Sequence, residues 1–148
     1  MGSLADLAGK RVYLDANVFI YALDDLPPWN VTAAGLLRAA EAGEFAAVTS
    51  ELTLAECLVK PFHTGSQASV QVYEQTIRPR RWLMVVPVSR EVLIEAARVR
   101  ATSTARLPDA IHIASYRRQN ADVFVTNDQP LKGASEVNCL LLSELTLD

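Results

Sequence analysis

Four carboxylates in this sequence fall where an ordinary solvated acid is out of place. Asp15 directly follows the apolar run Val12-Tyr13-Leu14, within Tyr-Leu-Asp-Ala-Asn-Val-Phe-Ile. Asp128 closes Val-Phe-Val-Thr-Asn-Asp after a second apolar run. Asp109 opens Pro-Asp-Ala-Ile-His-Ile-Ala, and Glu56 lies inside Ser-Glu-Leu-Thr-Leu-Ala-Glu-Cys-Leu-Val, on one helical side with Leu52 and Val59. A carboxylate bordering an apolar face is costly to desolvate unless something positive meets it. Singly, each has a plainer reading. Asp15 suits a helix N-cap, Asp109 a first-turn acid favoured by the helix dipole, Asp128 a turn before Pro130, and Glu56 a face-edge acid reaching water. Together at one place they would repel one another, and the physical remedy is a divalent cation with hard oxygen ligands, Mg²⁺ or Mn²⁺. The only histidines are His63 and His112, and Cys57 and Cys139 stand far apart in apolar segments as reduced core thiols, which disfavours zinc. His112, one turn after Asp109, reads as structural or surface rather than catalytic.

The elements must bring these acids together. Residues 11–14, 45–49, 82–88, 122–126 and 137–142 read as strands, each a nearly continuous apolar run. Between them fall helices over 17–23, from a cap at Asn30 to a stop at Gly43, from a cap at Ser50 to an end at Pro61, over 65–77, over 90–102 after Ser89, and from Pro108 onward. Strands alternating with helices predict an α/β domain whose parallel sheet is covered on both faces. Ligands bind such sheets beyond the carboxyl ends of their strands, where Asp15 and Asp128 fall. No repeat or linker interrupts the chain, so one domain is expected over residues 1–148, with a core of about 10–142.

Half the 148 residues are hydrophobic and 21% are charged, which excludes a disordered or fibrous chain. Lys and Arg number 14 against 17 Asp and Glu, a net charge of −3 that argues against non-specific coating of nucleic acid but leaves room for local basic strips. No apolar run suits a membrane span, the first ten residues lack a basic, apolar leader, and reduced thiols suit the cytoplasm.

The set Leu14-Asp15-Ala16-Asn17, Ser50 with Glu56, Leu107-Pro108-Asp109-Ala110 and Thr126-Asn127-Asp128 resembles the PIN-domain ribonucleases. The small size resembles the VapC toxins of toxin–antitoxin pairs. The resemblance spans nearly the whole chain and implies a three-layer α/β/α sandwich with a five-stranded parallel sheet in order 3-2-1-4-5. It also implies metal-dependent hydrolysis of RNA, inhibition by a small antitoxin, and commonly a homodimer. Carried over by position, Asp15, Glu56, Asp109 and Asp128 match the family's acidic quartet. Asn17, Thr126 and Ser50 match the small polar positions that support it.

In that reading Asp15, Asp109 and Asp128 are metal ligands, while Glu56 binds a second ion through water or acts as general base. Asn17 and Thr126 orient the carboxylates or water. Arg78, Arg80 and Arg81, flanked by Trp82, form a candidate RNA-binding cluster, with Arg98, Arg100 and Arg106 ahead of Asp109 and Arg117 and Arg118 after it. The alternatives are a haloacid-dehalogenase-like phosphatase and a non-catalytic RNA- or protein-binding module. The first is disfavoured because Asn17 stands where that chemistry places a second Asp, and the second because all four acids are present.

Overall fold

The computed structural model describes residues 2–128 and 137–147. The chain runs β1 (Gly2–Ser3), β2 (Arg11–Leu14), α1 (Ala16–Leu23), α2 (Asn30–Glu41), β3 (Ala46–Ser50) and α3 (Glu51–Thr64). It continues α4 (Gln67–Thr76), β4 (Leu83–Val86), α5 (Arg90–Ala101), α6 (Leu107–Arg118), β5 (Val123–Thr126), β6 (Cys139–Leu141) and β7 (Leu145–Thr146). Five strands form the central sheet in the order β4-β3-β2-β5-β6, every neighbouring pair parallel. Counted from β2, this is the 3-2-1-4-5 order that the resemblance implies. A separate parallel pair, β1 with β7, ties the two ends of the chain together.

Alternate residues of a strand face opposite sides of a sheet, and here both sides are apolar. Val12 and Leu14 face a layer built from α1 to α4, where Val18, Phe19, Leu36 and Tyr73 are buried. Tyr13 and Phe124 face the other layer, against Val92 and Ala96 of α5 and Ile113 and Ala114 of α6. Each buried Val, Leu, Ile or Phe among these contributes about 1.5–3 kcal/mol by leaving water. In α6 every residue from Ala110 to Tyr116 is buried. A stretch buried on every face is held from all sides, and it carries the more exposed first turn of α6, with Asp109, at the carboxyl edge of the sheet.

Three expectations need correction. Pro61 does not end its helix: α3 runs on to Thr64 and closes on Gly65, whose φ of +73° suits a residue without a side chain. Pro61 is itself buried, and its missing N–H removes only one bond near the end of the helix. Asn30 is the first residue of α2 rather than its cap, and its amide nitrogen donates to Asp25 Oδ1 at 2.7 Å. The strand bounds also shift by one or two residues, which is where hydrogen bonding rather than hydrophobicity decides.

One buried pair joins the sheet to α3. The Thr49 hydroxyl donates to the Leu14 carbonyl at 2.7 Å, so its 2.7 Å contact with Thr53 has Thr53 as donor. Both threonines are fully buried. Thr49→Val should leave the Thr53 hydroxyl without an acceptor and cost about 1–3 kcal/mol, read as a lower urea midpoint with an unchanged far-ultraviolet spectrum.

Candidate active site

Strands β2 and β5 are adjacent, with Leu14 opposite Val125, and the next residues along carry the first two acids. Asp15 caps α1: its Oδ1 accepts from the Asn17 backbone N–H at 3.0 Å. Its Oδ2 accepts from the hydroxyl of Thr126, and the same Thr126 oxygen accepts from the Asp128 backbone N–H at 3.0 Å. One buried hydroxyl thus joins the two acidic strand ends. Asn17 serves through its backbone here. The plainer reading of Asp15 and the chemical one are both compatible with this geometry, because a cap uses only one carboxylate oxygen.

Asp15 is 4% exposed. Burial pushes its carboxyl up to about 6, assisted by the negative charge of Glu56, while Thr126, His112 and the Asn17 backbone partly oppose the shift. Asp109, in the first turn of α6, is also raised, first by burial and then by the charge of Asp128, with Glu56 adding and His112 and Arg106 opposing. Each of the four acids therefore either feels another of the set or acts on one. The structure brings them to one edge.

Glu56 is held from a side that the sequence did not indicate. Its Oε1 lies 2.6 Å from His112 Nε2, and His112 Nδ1 lies 2.7 Å from the Tyr13 hydroxyl. His112 is 3% exposed, so the expectation that it is structural needs amending: it is buried, but it reaches the acid cluster. Burial first, then the nearby Asp15, hold the Tyr13 phenol well above its ordinary value, so it keeps its proton. The spacing of one turn after Asp109 was the available signal, and α3 supplies the partner.

Ser50 is fully buried and caps α3, accepting from Leu52 N–H at 3.0 Å. The arginines fall elsewhere. Arg78, Arg80 and Arg81 precede β4, and because all five strands are parallel they stand at the amino edge, about 13 Å from the acids along the strand direction. Arg80 is occupied there, bonding the Gln75 carbonyl and lying over the Trp82 ring at 5.6 Å. Arg106 is an arginine whose charge reaches Asp109.

The donor set suits a hard cation, being carboxylate oxygen with no thiolate among the four. Among the described residues, however, no three His, Cys, Asp or Glu side chains are grouped closely enough to hold a metal ion by themselves. Mg²⁺ commonly keeps several waters and uses one or two carboxylates together with a substrate phosphate. No helix among the described residues is long and apolar enough to cross a membrane.

An α/β sandwich with acids gathered at the carboxyl edge of a 3-2-1-4-5 sheet defines a recognisable class. The PIN domain family model matches residues 12–136, and the chain belongs to that family. No curated protein matches it in sequence. Among solved structures, VapBC2 from Rickettsia felis bound to a promoter DNA fragment superposes with a TM-score of 0.67 at 16% identity, covering 88% of this chain and 98% of that one. FitAcB from Neisseria gonorrhoeae gives 0.68 at 16% identity, with 90% and 99% covered. VapC20 of Mycobacterium tuberculosis, described as a sarcin–ricin loop cleaving toxin, gives 0.66 at 16% identity, with 86% and 98% covered. At these identities the likeness is one of fold.

The raised carboxyl of Asp15 has a stability signature. Between its ordinary 3.8 and about 6 the native state holds a proton that the unfolded chain has released. Stability in metal-free buffer should therefore fall as pH rises through that interval and level off above it. Asp15→Asn keeps the cap and removes the charge, so it should lack this loss. Its unfolding free energy should equal or exceed that of wild type at pH 7.5, by about 1 kcal/mol or more, and lose that advantage near pH 4. Urea titrations of both proteins in EDTA at the two pH values check it.

Proposed function

We propose that this protein is a divalent-metal-dependent endoribonuclease, the toxin of a toxin–antitoxin pair. The observation that carries the reading is the gathering of Asp15, Glu56, Asp109 and Asp128 at one sheet edge, with Asp15 buried and, among the described residues, without a cationic side chain bonded to it. Membership of the PIN domain family supports nuclease chemistry over a phosphatase. A neighbour described as a sarcin–ricin loop cleaving toxin and neighbours solved as toxin–antitoxin complexes support the biological role. A small antitoxin partner and a homodimer are part of the proposal, as is action in the cytoplasm.

Asp15, Asp109 and Asp128 would hold Mg²⁺ or Mn²⁺. When bound, such an ion would supply an activated water and offset charge on the phosphate. Thr126 and the Asn17 backbone fix the Asp15 carboxylate, so it has no rotamer to search when substrate arrives. Glu56 has one oxygen committed to His112 and the other without a protein partner among the described residues. That arrangement suits accepting a proton from the attacking water more than chelating a second ion. Arg106 beside Asp109 would receive the RNA backbone. Arg78, Arg80 and Arg81 would lie outside this contact.

Wild type should cleave single-stranded or loop RNA with Mg²⁺ or Mn²⁺ and stop on addition of EDTA, with p-nitrophenyl phosphate untouched. Full cleavage in EDTA would overturn the metal mechanism. Asp15→Asn should be folded and inactive, and its expression should relieve any growth defect that wild type causes.

Arg106→Ala should weaken RNA binding and reduce the slope of log affinity against log salt by about one. Arg80→Ala should leave that slope unchanged. Fluorescence anisotropy over a salt series, with the Asp15→Asn background preventing cleavage, separates the two.

A further inference from the structure

The mechanism uses Glu56, an acid that packing alone leaves partly exposed. It projects from α3 with its side chain 34% exposed, and a glutamate in that position has solvent-facing rotamers open to it. What holds it is a buried relay from the opposite face of the sheet. An ionised carboxylate only accepts, so the 2.6 Å contact requires the hydrogen on His112 Nε2. In the neutral ring Nδ1 is then an acceptor, and the Tyr13 hydroxyl donates to it at 2.7 Å. Tyr13 is fully buried and stacked on Phe124 at 4.9 Å between ring centroids, so the relay is anchored in the sheet itself. His112 belongs to the stretch of α6 that is buried throughout.

We infer that Tyr13 and His112 are positioning residues for Glu56, a buried phenol–imidazole relay that fixes one oxygen of the carboxylate and leaves the other turned to the reaction. This rests on the nuclease reading for its consequence, but the relay's geometry stands apart from it. Neither residue touches substrate. A second hydrogen-bonded residue that fixes the tautomer and orientation of a histidine is a general device around reactive centres.

The test is single-turnover cleavage of a short single-stranded RNA in Mn²⁺. His112→Leu should lower the cleavage rate constant about 10- to 100-fold with KM unchanged. His112→Gln, whose amide nitrogen falls near the position of Nε2, should lose less, and Tyr13→Phe should give a smaller loss in the same direction. In a Glu56→Ala background His112→Leu should have no further effect, because the group it positions is gone. A full additional loss there, or a change confined to KM, would overturn the proposal. Nitrogen-15 NMR of histidine-labelled wild type gives a readout independent of cleavage: a hydrogen on His112 Nε2 is expected, with assignment by His112→Gln, and an Nε2 without one overturns the relay. An inactive wild type would instead overturn the nuclease reading, with the NMR result still deciding the relay.

Discussion

The hydroxyl of Thr126 carries the constraint on which the site depends. It donates to Asp15 and accepts from the backbone of Asp128, so two acids on neighbouring strands are tied through one buried oxygen. A serine or threonine is the smallest side chain able to donate and accept at once. Its burial also excludes water, which keeps the dielectric low and the repulsion among the acids strong. The rest of the molecule serves this arrangement. The parallel sheet aligns the strand ends, α6 is buried so that Asp109 is delivered without freedom, and Thr49 links the end of β2 to Thr53 of α3.

Such a site is destabilising when no cation is present, and the fold tolerates this because its stability resides elsewhere. Two apolar layers on either side of the sheet contain the large buried side chains, from Phe19 and Leu36 on one side to Phe124 and Ile113 on the other. The acids sit at the rim of both. The raised carboxyls of Asp15 and Asp109 are the visible cost of gathering like charges in a poorly solvated place. A residue chosen for stability alone would be an amide.

The sheet was legible in the sequence because its strands are buried on both faces and so read as unbroken apolar runs. The acids were legible because two of them end such runs, and a parallel sheet sends all its carboxyl ends to one edge. The same rule, applied to the arginines, already separates Arg78, Arg80 and Arg81 from the acids, since they precede a strand instead of following one. Local composition drew attention to a basic, aromatic cluster; topology decides where it points. Pro61 shows the limit of reading one residue at a time, because its cost near the end of α3 is one hydrogen bond, which the surrounding packing exceeds. The pairing of His112 with Glu56 was not legible. The two residues are separated by 56 positions, and the spacing of His112 one turn after Asp109 points toward the acids without singling out Glu56 as its partner.

That pairing changes how the four acids divide their work. Asp15 has both oxygens occupied by this chain, one by a backbone N–H and one by a hydroxyl. Glu56 has one oxygen occupied, by an imidazole. Neutral hydrogen bonds leave lone pairs of an ionised carboxylate available, since each of its oxygens accepts more than once. Asp15 can therefore still offer negative charge to a cation while its orientation stays fixed. Glu56 instead has, among the described residues, one oxygen without a protein partner and a donor on the other. A carboxylate held in that way can take up a proton without losing its place, because the imidazole N–H remains bonded to the oxygen that the proton does not occupy. The asymmetry between a doubly restrained aspartate and a singly restrained glutamate is thus a physical basis for separate roles, charge on one side and proton transfer on the other, within a set of side chains that sequence alone treats as equivalent.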